Sequence, residues 1–214
     1  MRRFLNFFSL LIALILCLAP SVSAESTFAP IDFTEEQAAA ANLFLSNFTE
    51  VGVDSIGSWH EDIDLVDFAH DHIWFNDHDA YEYGEYSGGN NCRVSDDDIQ
   101  RLVDKYFYDA PVVDLTQTRF DYLDGYYYHC ETGGWTDCGF AHTVSICPLG
   151  DDTYFISFLI FGGGDYWDNA VLDDSLPEIE AEFGHPGGYG SALVHAENLS
   201  DRSTYQLISY SSLQ

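Results

Sequence analysis

Two periodicities divide the chain. Between residues 34 and 107 apolar side chains return every three or four positions; from residue 119 onward they alternate with polar ones. The first regime predicts three helices. Thr34-Glu-Glu-Gln37 has the form of a capping box, in which the Thr34 hydroxyl accepts from the third helical N–H and Gln37 reaches back. Beyond it, Ala41, Phe44, Leu45 and Phe48 make one stripe at helical spacing. Residues 61–75 predict a second helix, with Ile63, Val66, Ala69 and Ile73 toward the core. Ser95-Asp-Asp-Asp98 caps a third, whose Ile99, Leu102, Val103, Tyr106 and Phe107 stand at i, i+3, i+4, i+7 and i+8. Residues 77–91, rich in Gly, Tyr and acids, read as a loop.

The second regime predicts hairpins. Residues 119–123 and 126–130 flank Asp124-Gly125, a strong two-residue turn signal. Residues 140–147 and 153–161 flank Pro148-Leu-Gly-Asp-Asp152, and residues 189–196 and 204–210 flank a third connection. The long segment 162–188 between the last two hairpins offers one weak turn of helix near 177–183. Helices first and strands afterwards predict an α+β domain. Three N-terminal helices would pack on a curved antiparallel sheet of about six strands, by analogy with NTF2-like or cystatin-like folds.

The N-terminus adds an address. Met1-Arg2-Arg3 precedes an apolar run over residues 4–18, Pro20 breaks it, and Val22-Ser23-Ala24 supplies the small residues a signal peptidase requires. Residues 1–24 thus read as a Sec signal peptide and residues 25–214 as a single exported domain, secreted or on the outer face of the cell envelope. Removing Arg2 and Arg3 leaves five basic residues against 36 acidic ones, a net charge of −31. Such a balance excludes ordinary nucleic-acid binding, which rests on neutralising phosphates. No later apolar run approaches the ~20 residues of a bilayer span.

Four cysteines follow the signal: Cys92, Cys130, Cys138 and Cys147. An even count in an exported chain predicts disulfides, and no C-x-x-C pair points to zinc. Cys130 and Cys138 bracket a turn-forming stretch, so the expected pairs are Cys130–Cys138 and Cys92–Cys147.

The search for chemistry is mostly negative. Ser191 lacks the G-x-S-x-G frame of a nucleophile elbow, and His195 shares its strand face. His70 and His72 are two apart, so a helix points them in different directions. Asp67 and Asp71 at i, i+4 share a face with His70 and Trp74 and could chelate a metal with a third ligand from elsewhere in the chain. Calcium takes six to eight oxygens from a flexible loop. Asp77, Asp79, Glu82 and Glu85 are the candidate ligands, with Gly84, Gly88 and Gly89 allowing sharp turns. Asp165, Asp168, Asp173 and Asp174 form a second acidic loop. Trp59, Trp74, Trp135, Trp167 and Tyr126-Tyr-Tyr128 offer aromatic platforms for sugars, although alternating tyrosines usually divide between core and surface. No cofactor motif is present in the sequence, and no catalytic residue is assigned.

Four segments carry a resemblance. Asn42-Leu-Phe-Leu-Ser-Asn-Phe48, Phe68-Ala-His-Asp-His-Ile-Trp-Phe-Asn-Asp77, residues 99–107 and Asp124-Gly-Tyr-Tyr-Tyr128 resemble an uncharacterised group of exported proteins from anaerobic Gram-positive bacteria. The resemblance implies export and a bacterial source and brings no catalytic residues. The expected function is a non-catalytic domain that binds a small ligand, glycan or protein partner through the concave sheet face. The alternatives are a secreted hydrolase using carboxylates, and a calcium-dependent structural or interaction module.

Overall fold

The computed structural model describes residues 29–57, 61–109, 113–130, 139–162 and 174–213. The expected signal peptide and Cys138 lie outside them, as do Trp59, Trp135, Trp167 and the acids Asp165, Asp168 and Asp173. The described residues form an α+β fold with four helices. These are α1 (Glu35–Thr49), α2 (Asp62–Asn76), α3 (Asp96–Tyr106) and α4 (Leu176–Phe183). The strands are β1 (Ser55–Ile56), β2 (Glu82–Tyr83), β3 (Cys92–Ser95), β4 (Asp121–Leu123), β5 (Tyr126–His129), β6 (Gly139–Gly150), β7 (Thr153–Gly162), β8 (Gly188–Ala196) and β9 (Tyr205–Leu213). No described helix is long and apolar enough to cross a membrane.

The single six-stranded sheet is corrected to two antiparallel sheets. One has five strands in the order β1-β9-β8-β7-β6, the other four in the order β2-β3-β5-β4. The Asp124-Gly125 hairpin forms as expected, with both turn residues at positive φ, but it pairs through β5 with β3 rather than with the long meander. β3 escaped the sequence reading because four residues carry too little alternation to stand out. Its last residue, Ser95, also caps α3, its hydroxyl accepting from the Asp98 N–H at 3.2 Å.

The helices do not share one sheet either. α3 joins the two: its C-cap Phe107 bridges to Leu207 of β9, and Asp96, its first residue, donates its N–H to the Gly125 carbonyl in the small sheet. α4 covers the far face of the large sheet, where Ile179 packs on Phe140 and Phe161. The main core draws from α1, α2, α3 and both sheets. Phe48 lies at its centre, with ring centroids 4.5 Å from Phe68, 5.4 Å from Phe44 and 5.5 Å from Tyr210. Truncating a buried Phe of this kind to Ala costs about 3–5 kcal/mol. Because α2 has neighbours on both sides, it buries Leu65, Val66, Phe68, Ala69, His70, His72 and Ile73, whereas Ile63, expected in the core, is exposed. Gly190 is required by packing: a Cβ there would fall 2.3 Å from the Phe158 ring.

α1 has a second task. β6 is an edge strand, and Asn42, Ser46 and Thr49 stand at i, i+4 and i+7 on the helix face turned to it. The Thr143 N–H donates to Asn42 Oδ1 (2.6 Å) and the Ala141 N–H to Ser46 Oγ (2.9 Å), while the Thr49 hydroxyl donates to the Gly139 carbonyl (2.8 Å). Ile31 extends the cover, its N–H donating to the Ile146 carbonyl (2.9 Å). Buried backbone groups that no strand reaches are thereby satisfied.

No disulfide joins Cys92 to Cys147. Cys92 is buried on β3 in the small sheet, its thiol donating to the His129 carbonyl (3.4 Å), and Cys147 lies on β6 in the large one. Topology, not spacing, decides this: the two cysteines belong to separate sheets. The Cys130–Cys138 pairing involves a residue outside those described.

Candidate functional site

A cavity of about 570 Å³ opens between α1, α2, α3 and the β8–β9 connection. This volume lies within the usual range of small-molecule sites. Each helix contributes residues spaced one turn apart. α1 and its C-cap give Leu43, Asn47 and Glu50; α2 gives His72 and Asn76; α3 gives Arg101, Lys105, Leu102 and Tyr106. Arg202, Ser203 and Tyr205 close the site from the β8–β9 connection.

Hydrogen bonds fix the polar groups. The Asn47 amide nitrogen donates to the Leu43 and Phe44 carbonyls (2.7 and 3.1 Å), leaving Oδ1 to accept from the Tyr106 hydroxyl (3.2 Å). Asn76 Nδ2 donates to Glu50 Oε1 at 2.5 Å and lies 3.1 Å from His72 Nδ1. An amide nitrogen only donates, so His72 Nδ1 accepts and the ring proton sits on Nε2. That N–H donates to Tyr106 Oη, 3.0 Å away. Lys105 Nζ approaches the same hydroxyl at 3.4 Å and lies 4.7 Å from the Tyr106 ring centroid. The outcome is a relay: Glu50, Asn76, His72, Tyr106, Lys105.

The electrostatics follow from burial. Desolvation pushes the Glu50 carboxyl up to about 7, against the opposing Asn76 hydrogen bond. It pushes His72 down to about 3, helped by the Lys105 charge. His72 and Glu50 are therefore not an ion pair at neutral pH, although Nδ1 and Oε1 stand 3.8 Å apart. Lys105 is lowered by desolvation and by its neighbours Arg202 and Arg101, with Asp77 opposing. Tyr106 is raised by burial and by Glu50.

Three of the five Lys and Arg residues after position 24 line this one cavity. The other two are occupied elsewhere. Arg93 is held by Glu82 at 2.6 Å and lies 3.9 Å from the Tyr126 ring centroid; Arg119 pairs with Asp67 and Asp71. In the cavity, Arg101 meets Asp98 (3.1 Å) and Asp77 (3.6 Å). Among the described residues, Lys105 and Arg202 have no carboxylate within ion-pairing distance.

The candidate calcium ligands are dispersed. Asp77 caps the C-terminus of α2 beside Arg101, Asp79 lies in the 3-10 turn His78–Ala80, Glu82 on β2 is bound by Arg93, and Glu85 follows that strand. Among the described residues, no three His, Cys, Asp or Glu side chains converge to hold a metal. The Asp67/Asp71 pair does converge, on the Arg119 guanidinium. His70 and His72 point to opposite sides of α2, as their spacing requires. Glu50, Asn47 and Tyr106 went unrecognised as site residues in the sequence, because one acid among 36 and one tyrosine on an apolar stripe send no signal. The scarcity of cations was legible, but not their convergence.

No protein-family profile, curated protein or solved structure matches the chain.

Proposed function

We propose that this chain is an exported, non-catalytic domain that binds a small anionic ligand in the cavity between α1, α2 and α3. One observation supports the reading: three of the five Lys and Arg residues after position 24 gather in a single cavity of a chain carrying 36 acids. Like charges brought together in a partly desolvated site repel, and an anion relieves that repulsion. The structured polar wall around them, with His72 held neutral, makes the cavity suited to a ligand that hydrogen-bonds as well as pairs. The binding surface is thus the helical cavity rather than the sheet face expected from sequence.

Melting curves with acetate, succinate or inorganic phosphate, each against sodium chloride of equal ionic strength, test the proposal. A ligand at a hundredfold excess over its Kd stabilises by about 2.7 kcal/mol. In a domain of this size that raises Tm by roughly 5–10 °C. At least one of the three anions should do so, and Lys105→Met with Arg202→Gln should abolish the shift. If none exceeds the chloride control, the reading fails.

A further inference from the structure

The cavity is charged at two ends, not one. Arg202 and Arg101 act on Lys105, with Asp77 of the same lining opposing them, and Lys105 acts on His72. Glu50 is buried and hydrogen-bonded by the Asn76 amide, and among the described residues no ion pair joins it to any of the three cations. An imidazole ring and a phenol hydroxyl separate the two ends, both uncharged at neutral pH. A simple anion would fill the cationic end and leave a carboxyl group facing it across the same cavity.

The Glu50 end is built to receive a donor. Glu50 and Asn47 lie one turn apart, the last residues of α1 to face the cavity. Asn47 is locked with its amide nitrogen turned back onto the helix, so its Oδ1 faces the site and, among the described residues, accepts from the Tyr106 hydroxyl alone. A carbonyl oxygen has a second lone pair to offer. Glu50 has Oε1 engaged by Asn76 and its carboxyl lining the cavity. Both acceptors sit at the C-terminal end of α1, where the helix dipole favours positive charge and where the last turn holds no basic residue.

Resting on the anion-binding reading above, we infer that the ligand is a small zwitterion, its acidic group held by Lys105, Arg202 and Arg101 and its ammonium group by Glu50 and Asn47. Glu50 is then the residue that separates amino acids from plain carboxylic acids. Binding carries a proton signature. An ammonium group draws Glu50 into its ionised form, so binding near pH 7 releases about half a proton, given a carboxyl poised at about 7. The other titratable groups facing Glu50 do not supply this release: His72 and Tyr106 are uncharged at this pH, Lys105 gains rather than loses affinity for its proton beside an anion, and Asp77 is paired with Arg101.

Calorimetric titration of the full exported chain at pH 7, in two buffers of different ionisation enthalpy, tests the inference. The probes are glycine, β-alanine, 4-aminobutyrate and 6-aminohexanoate, each beside the unsubstituted carboxylate of equal length. The expected result is at least one amino acid binding tenfold or more tightly than its matched carboxylate, with proton release. Glu50→Gln should erase both the preference and the release. Carboxylates binding as tightly as amino acids to the unaltered protein would overturn the inference and leave the anion-binding reading intact. If neither series binds while inorganic phosphate or succinate still raises Tm, the inference falls and the anion-binding reading stands; if those anions fail as well, both fall. The comparison on the unaltered chain needs no variant to fold.

Discussion

The two sides of α2 use similar residues to opposite ends. On one side His70 is stacked 3.6 Å from Phe120, and Asp67 and Asp71 close on Arg119. On the other, His72 hydrogen-bonds to Tyr106 and Asn76, and the acid and the cations of that side stand apart, with the relay between them. The first side has its charges already matched and presents little for a ligand to do. The second leaves Lys105 and Arg202 in reach of one cavity with no carboxylate paired to them among the described residues, while Arg101 there is met by Asp98 and Asp77. What separates a site from a structural contact here is whether complementary charges touch, not which residues are present.

The largest expected effect concerns acid. Glu50 is raised from 4.5 to about 7, so its protonated form belongs to the fold; its contribution weakens as pH rises from 4.5 to 7. His72 is lowered from 6.5 to about 3, so its contribution is complete above 6.5 and is lost as pH falls toward 3. Between 4.5 and 6.5 the two slopes oppose each other. Glu50→Gln removes one of them. Denaturant titrations of that variant should then show a steeper loss from pH 6.5 to pH 4.5 than the unaltered chain, by about 2–3 kcal/mol. Equal losses would mean that Glu50 is not held protonated by the fold. His70, also lowered by burial, adds to the same acid-side loss.

Next in size is the exchange of each histidine for phenylalanine. His72→Phe strands Asn76 and Tyr106 and should cost about 2 kcal/mol at pH 7. His70→Phe should cost under about 0.5 kcal/mol, because Nδ1 of that ring is buried with no hydrogen-bond partner and Tyr81 Oη lies a long 3.4 Å from Nε2. Equal losses would erase the contrast between the two sides. Arg119→Met should cost about 1–2 kcal/mol, between exposed and buried pairs, since its two acids are mostly covered while the guanidinium is half exposed. Smallest of all is Lys105→Met: a change within about 0.5 kcal/mol in stability, with loss of the anion-induced Tm shift. A stability loss as large as that of Arg119→Met would class Lys105 with the matched side.

The regular helices and long hairpins were legible because each repeats its period often enough to be counted. α1, α3 and the β6–β7 and β8–β9 pairs show this, down to the Thr34–Gln37 capping box. What escaped was short or relational. β2 and β3 have two and four residues, and the division into two sheets depends on β3 pairing with a hairpin some thirty positions later. The Cys92–Cys147 pairing failed for the same reason. In the site, spacing correctly parted His70 from His72, but Glu50 lies past the apolar stripe of α1 and acquires its character only from burial against Asn76. Asn42, Ser46 and Thr49 did leave a trace, as small polar residues at helical spacing beside an apolar stripe.

That trace has a consequence for behaviour in a crowd. The outer edge of β6 is a ready template for another chain's strand, and the three side chains of α1 stand where that strand would bind. Any process that lifts α1 therefore opens a nucleus for intermolecular β-assembly. The net charge of −29 keeps opened molecules apart at low ionic strength, and salt removes this barrier. The fold thus holds two safeguards of different kinds, one local and steric, one global and electrostatic. Loosening the helix in brine would remove both at once, which makes fibril growth in a salty medium the natural failure of this protein.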